Sequence, residues 1–255
     1  MGLFENRTTT NHKKQVPVWF MRQAGRYHSH YQNIKSKSDF MTMCKDPQLA
    51  CDVTMGPIED FHFDAAILFS DLLLPLEHLG MGLNYLKGPP ELSFRIQEES
   101  DLKKLNQIKK ASEFYDFQKQ ALLKLNKVLP SHVSLLGFVG APFTLFTYAC
   151  VGSHSANLAS VKKFLYNGVF TQFMEILYPA LLENMLVQAQ GNPEAICLFD
   201  TAAGEVCSKD YIQFIVPWIK KLTAEFKKNY PKTKIIYYSK HTQMEYLLGL
   251  EDKNI

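Results

Sequence analysis

Five short apolar runs, each followed by a longer stretch of helical spacing, restrict this 255-residue chain to a small set of folds. The runs are residues 17–21, 65–69, 134–138, 195–199 and 234–238. They are continuously apolar instead of alternating, which is the pattern of strands covered on both faces in a parallel sheet. Helical patterns fill the intervals at 46–61, 100–129, 160–190 and 208–229. Asp46-Pro47 and Ser208 suit helix starts, and Gly191-Asn192-Pro193 is a stop. Pro179 and Pro217 fall inside helical patterns and are expected to kink or divide them. Segments 83–85 and 92–96, around Gly88-Pro89-Pro90, predict a small extra hairpin.

Strand then helix, repeated, means an α/β protein with a parallel sheet, either a (β/α)8 TIM-type barrel or an open doubly wound sheet. No glycine-rich dinucleotide or Walker pattern follows any run, which weakens the doubly wound, nucleotide-binding version. Polar residues instead gather just after the runs: Arg22, Ser70-Asp71, Gly140 to Tyr148, Asp200-Thr201 and Ser239-Lys240. The carboxyl ends of barrel strands form the active face, so this placement favours the barrel. About five of eight βα units can be counted, and the last pattern is the opening of a helix at 242–248. The expectation is an extended or disordered segment over residues 1–14. A barrel domain over 15–255, truncated at its C-terminus, would follow it.

Composition narrows the function classes. A net charge of +3, with lysine pairs such as Lys162-Lys163 and Lys220-Lys221 inside amphipathic patterns, argues for solvated helix faces and against a nucleic-acid partner. Five cysteines without a C-x-x-C read as reduced, mostly buried thiols of a cytoplasmic protein. The charge-free stretch 135–152 contains Gly137, Gly140 and Pro142, so a buried strand and turn is expected there in place of a membrane span.

The segment PVWFMRQAGRY, residues 17–27, is the most informative. Arg22 and Arg26 offer two planar, permanently charged forks suited to carboxylates or phosphates. Gly25 between them permits a close backbone approach or a turn closed to other residues. Residues 17–26 match the P-x-W-x-M-R-Q-A-G-R signature of uroporphyrinogen decarboxylases, and the chain resembles that family onward. Residues 40–54 (FMTMCKDPQLACDVT) are similar to the family's following helix entry, and 64–82 (DAAILFSDLLLPLEHLGMG) to its second strand and aspartate loop. Residues 137–152 (GFVGAPFTLFTYACVG) are similar to a second signature, and 198–204 (LFDTAAG) to a further substrate loop.

The resemblance implies a cofactor-independent carboxy-lyase of haem biosynthesis, acting on uroporphyrinogen as a cytoplasmic homodimer, with no metal, no nucleic acid and no membrane. It implies a substrate-binding set of Arg22, Gln23, Ala24, Gly25, Arg26, Asp71, Tyr148 and Thr201, of which Asp71, Arg22, Arg26 and Tyr148 take part in catalysis. Lys35 lies near a position often basic in the family. The chain departs from the pattern at His28 and His30, at Val151 and at Ala202, and a late histidine-bearing loop of the family has no counterpart here. A cobalamin-linked methyltransferase relative of the decarboxylase fold is one alternative, though such relatives typically lack the full RQAGR segment kept here, and two further readings stand beside the enzyme. One is a non-catalytic fragment that binds tetrapyrrole or a partner chain without turnover. The other, suggested by His28-x-His30 and His241, is a metal-dependent hydrolase.

Overall fold

The computed structural model describes residues 17–86, 88–153, 158–251 and 254, so the expected N-terminal segment lies outside the described residues. Helices α1 (Ser29–Lys35), α2 (Phe40–Lys45) and α3 (Pro47–Phe61) come first. Asp46 caps α3 as its residue type suggests, its carboxylate accepting from the Gln48 and Leu49 amides at 2.8 Å, with Pro47 in the first turn. Strand β1 (Ala65–Ile67) then leads into α4 (Leu74–His78), and β2 (Leu83–Asn84) pairs antiparallel with β3 (Glu91–Leu92) as the expected hairpin. Helices α5 (Ala111–Phe114) and α6 (Asp116–Val128) precede β4 (Ser134–Gly140), and α7 (Pro142–Val151), α8 (Ala159–Tyr166) and α9 (Val169–Ala189) precede β5 (Ala195–Asp200). After β5 come α10 (Ser208–Asp210), a π-helical turn at Tyr211–Ile215, α11 (Val216–Asn229), β6 (Lys234–Ser239) and α12 (Met244–Gly249).

The main sheet is parallel with strand order β1-β4-β5-β6. Each strand lies beside its successor, with helices between. This is the winding of a barrel, whereas a doubly wound sheet reverses its order part-way. Both faces are apolar, which explains the continuous runs. Ala65, Leu136, Ala195, Cys197 and Phe199 project to one side, where Trp19, Phe138, Ile236 and Tyr238 join them. Ile196, Leu198 and Ile235 project to the other and meet the helices. There Phe143, Phe146, Phe170 and Phe173 are fully buried, each contributing roughly 1.5–3 kcal/mol by leaving water.

Three expectations are corrected. Residues 17–21 form no strand ladder: Pro17 has no amide hydrogen, and the segment's backbone meets the start of β1 through Val18, whose amide donates to Asp64 Oδ2 (2.7 Å) and whose carbonyl accepts from the Asp64 amide (3.0 Å). Among the described residues the main parallel sheet therefore has four strands, not five. The helical pattern at 100–129 breaks into a 3-10 turn (Glu99–Lys104), α5 and α6, so Lys109-Lys110 lie outside any helix. The pattern at 160–190 divides at Gly168, φ +87°, and not at Pro179, which sits within the continuous α9. Pro217 does mark a division, between the π-helical turn and α11.

Candidate active site

Parallel strands bring their carboxyl ends to one side, and the residues beyond β1, β4 and β5 meet there. The arginine segment reaches this end along β1. Trp19 stacks on Phe199 with ring centroids 6.4 Å apart, and the Gln23 side-chain amide donates to the Ala65 carbonyl at 3.0 Å. Gln23 is thus a buried strut. A turn closed by the Gln23 amide on the Phe20 carbonyl (3.1 Å) puts Arg22 at φ +60°. A residue with a Cβ in that region costs on the order of 1–2 kcal/mol, a strain often found at ligand sites. The sequence left two roles open for Gly25, a close backbone approach or an unusual turn. Its φ is ordinary, and its role is room: a Cβ there would stand 3.3 Å from the Arg22 carbonyl. Arg22 and Arg26 are exposed, and among the described residues neither forms an ion pair.

Asp71 lies in the loop between β1 and α4, only 9% exposed. Its Oδ1 accepts from the Leu73 amide at 2.7 Å, and its Oδ2 accepts from the Tyr85 hydroxyl. Burial pushes the carboxyl above its usual range; the bonds from Tyr85 and Leu73 pull it back, and Glu77 adds to the rise. An ionised carboxylate has about four acceptor directions, so roughly half of this one's capacity is uncommitted. Two features hold the loop. Gly140 at the end of β4 lets the Leu72 backbone pass, since a Cβ there would meet the Leu72 carbonyl at 2.9 Å. A chain of buried amides also supports it. Gln118 donates to Ser70 Oγ (2.9 Å), Asn184 to Gln118 (2.6 Å) and Gln188 to Asn184 (3.2 Å), while Gln188 also bonds both backbone groups of Phe138 at 2.9 Å.

Tyr148 on α7 shares this electrostatic environment. Burial raises its phenol, the Asp71 charge raises it further, and Arg22 lowers it. Asp71, Tyr148 and Arg22 are therefore near enough to feel one another. Arg26 acts instead on Tyr31, whose phenol is raised chiefly by burial and then by Cys44. Thr201 is half-buried at the end of β5, and the neighbouring Asp200 ties it to the helix of Tyr148. Asp200, fully buried, accepts from Thr144 Oγ1 (2.9 Å) one turn before Tyr148, and from the hydroxyls of Tyr211 and Tyr237 (3.0 Å each). Thr144 Oγ1 in turn accepts from the Ala202 amide at 3.1 Å. Lys35 is exposed at the end of α1.

The histidines are engaged elsewhere. His28 Nε2 pairs with Asp60 Oδ2 at 2.6 Å and His30 Nε2 with the Asp52 carbonyl at 2.8 Å, while His241 is exposed. Among the described residues no three His, Cys, Asp or Glu converge as metal ligands. A cleft of about 400 Å3, lined by Asn126, Pro130, Ser131, Asn192, Glu194 and Lys232 among others, lies at the amino ends of the strands, away from Asp71. Its chemistry is that of loop capping: the Asn126 amide donates to the Leu122, Gly191 and Asn192 carbonyls.

The family model for uroporphyrinogen decarboxylase (URO-D) matches residues 4–254. The chain belongs to the uroporphyrinogen decarboxylase family. It is similar to uroporphyrinogen decarboxylases from Chlorobaculum parvum (35% identity), Chlorobium phaeobacteroides (37%) and Thermodesulfovibrio yellowstonii (36%), each aligned over 89% of this chain. It spans 65% of the length of the first two relatives and 66% of the third. Among solved structures it is similar to a methyltransferase from Methanosarcina mazei, with a TM-score of 0.61, 14% identity, and coverage of 81% of this chain and 60% of that one. That likeness concerns the fold alone, and with the family match it gives this uroporphyrinogen decarboxylase family member a TIM-barrel-type fold.

Two features of this family member escaped the sequence reading. Tyr85 carried no signal, because a tyrosine at a hairpin edge reads as packing. Asp200 was noted as polar at a strand end, but its three hydroxyl partners lie 11, 37 and 56 positions away and no spacing rule connects them.

Proposed function

We propose that this chain acts in decarboxylation of uroporphyrinogen III, releasing four acetate carboxyl groups as carbon dioxide and giving coproporphyrinogen III, without a cofactor. One observation carries the reading: a buried carboxylate, Asp71, which accepts from one amide and one hydroxyl among the described residues, shares its environment with Tyr148 and with the exposed guanidinium of Arg22. The substrate bears eight carboxylates. Arg22 and Arg26 suit their capture and the orientation of the acetate to be cleaved. Breaking the carbon–carboxyl bond leaves an electron pair beside a pyrrole ring, which accepts it once protonated. A proton then replaces the lost carboxyl to leave a methyl group. Asp71, accepting hydrogen bonds from the pyrrole N–H groups, stabilises that cationic ring as a preorganised charge. Tyr148 hydrogen-bonds a substrate carboxylate or holds Asp71, and Thr201 contacts another carboxylate.

Among the described residues no helix is long and apolar enough to cross a membrane. Cytoplasmic placement as a homodimer, with residues 15–255 as one barrel-type domain, completes the proposal. The four buried free thiols, a usage typical of reducing compartments, support the cytoplasmic placement. Anaerobic incubation of purified protein with uroporphyrinogen III, followed by chromatography, tests the activity. Coproporphyrinogen III is the expected product. Unchanged substrate, with no detectable binding, sinks the reading.

A further inference from the structure

We propose that Tyr85 is a positioning residue that orients the Asp71 carboxylate and leaves one acceptor direction on each of its oxygens open to the substrate. The inference rests on the decarboxylase reading above. Its basis is the hairpin. The residues of β2 and β3 join the main core through Leu83 and Leu92, and the Ser93 amide bonds the Met81 carbonyl at 2.8 Å. Tyr85 follows β2 directly, half-buried, while its neighbour Leu86 is 86% exposed at the hairpin tip. The Tyr85 ring lies 4.6 Å, centroid to centroid, from Phe40 at the start of α2. The anchored hairpin and the packing on Phe40 hold the ring, and its hydroxyl ends on Asp71 Oδ2.

With Leu73 on Oδ1 and Tyr85 on Oδ2, each oxygen has one donor among the described residues. A carboxylate restrained at both oxygens cannot rotate about its terminal bond without losing a charge-assisted hydrogen bond. The remaining direction on each oxygen is enough for a pair of pyrrole N–H groups in a three-centre arrangement. Besides burial, the groups that bear on the charge state of Asp71 are Tyr85 from the hairpin and the Leu73 amide and Glu77 from its own loop and helix, while Cys44 from α2 and Tyr148 from α7 face its charge and are raised by it. Glu77 raises the carboxyl, whereas the Tyr85 and Leu73 donors lower it against burial. Removing the Tyr85 hydroxyl therefore takes away one of the two bonds that favour the ionised form of Asp71 against burial.

Tyr85→Phe retains the ring on Phe40 and deletes only the hydroxyl. Carbon-detected titration of the side-chain carboxyls should show the Asp71 midpoint moving to higher pH, while that of Asp39, governed by Thr42, stays in place. The acidic limb of kcat/KM for uroporphyrinogen should move up with it. Turnover at neutral pH should fall by about 10-fold with KM little changed, the loss expected of one charge-assisted hydrogen bond. An unmoved Asp71 midpoint, or tighter uroporphyrinogen binding in the variant, would overturn the proposal; the second result would make Tyr85 a competitor of substrate. If the variant does not fold, Asp71→Asn gives the reciprocal measurement. The Tyr85 ring carbon bearing the hydroxyl should shift its resonance, and a stationary resonance counts equally against the proposal. The titrations need no turnover. A shifted Asp71 midpoint in a protein that ignores uroporphyrinogen would thus overturn the decarboxylase reading, and with it the substrate's part in this proposal, while leaving the Tyr85–Asp71 bond established.

Discussion

Asp71 and Asp200 are both acidic, both buried and both placed just at or beyond the carboxyl end of a parallel strand, yet their surroundings assign them different work. Asp200 has no exposed surface and accepts from three hydroxyls, those of Thr144, Tyr211 and Tyr237. These draw β5, β6, α7 and the π-helical turn together, and the acceptor capacity of the carboxylate is largely spent on the protein itself. Asp71 keeps 9% of its surface, accepts from one amide and one hydroxyl, and has Arg22 acting on its neighbour Tyr148. Burial alone does not mark a functional carboxylate. The acceptor directions left open do.

The largest effect should come from Asp71→Asn. It removes the charge but keeps the shape, and turnover of uroporphyrinogen should fall by roughly two to three orders of magnitude, the usual loss for one preorganised electrostatic group. Urea unfolding should show a stability within about 1 kcal/mol of the parent, because the buried charge is no longer desolvated. Wild-type turnover in this variant would erase the distinction between the two acids. Asp200→Ala should behave in the opposite sense. It orphans three buried hydroxyls and opens a cavity, so urea unfolding should register a loss of about 3 kcal/mol. A smaller loss, about 1–2 kcal/mol, is expected for Thr144→Val, which leaves the Ala202 amide without its acceptor.

The same comparison carries a pH dependence. Burial raises Asp200 above the ordinary carboxylate value, against the lowering effect of its three hydroxyl partners. A carboxyl whose folded value lies above its unfolded one binds more protons when folded. Its contribution is therefore fully present below the unfolded value, about 3.9, and is lost as pH rises through the folded value. The stability gap between the parent and Asp200→Ala should accordingly be widest in acid and narrow as pH rises. A gap that widens with pH would mean that Asp200 is held ionised instead.

The smallest effect concerns thiols. Of the five cysteines only Cys207 is exposed, and it should react first with a thiol reagent. Cys44 lies near Asp71, whereas Cys197 sits in β5 beside the Asp200 cluster, its thiol pushed up by burial to about 12. If the Asp71 region opens more readily, Cys44 should label before Cys197 in native protein. The reverse order, read by peptide mass mapping, would locate the looser region around Asp200.

Much of the scaffold could be read directly from residue order. The runs at 134–138, 195–199 and 234–238 are strands, the Asp46-Pro47 start is a capped helix, and Gly88-Pro89-Pro90 does sit in a hairpin. The RQAGR segment marked the family before any coordinate was known. Where the reading failed, a competing local effect won. Pro17 removed a ladder donor from the first expected strand, and Gly168 broke a helix that Pro179 was expected to divide. Arg22, not Gly25, takes the left-handed backbone, because the turn closes between Phe20 and Gln23 and needs its third residue there.

Residue order alone therefore determined the alternation of strand and helix, the two apolar faces of the sheet and the family of the chain. All of these depend on neighbours a few positions apart. Tertiary structure alone decided that Tyr85 meets Asp71 across 14 positions and that Thr144 meets Asp200 across 56. The physical reason is that a hydrogen bond depends on where the packed strands and helices place two atoms, and no local periodicity carries that distance.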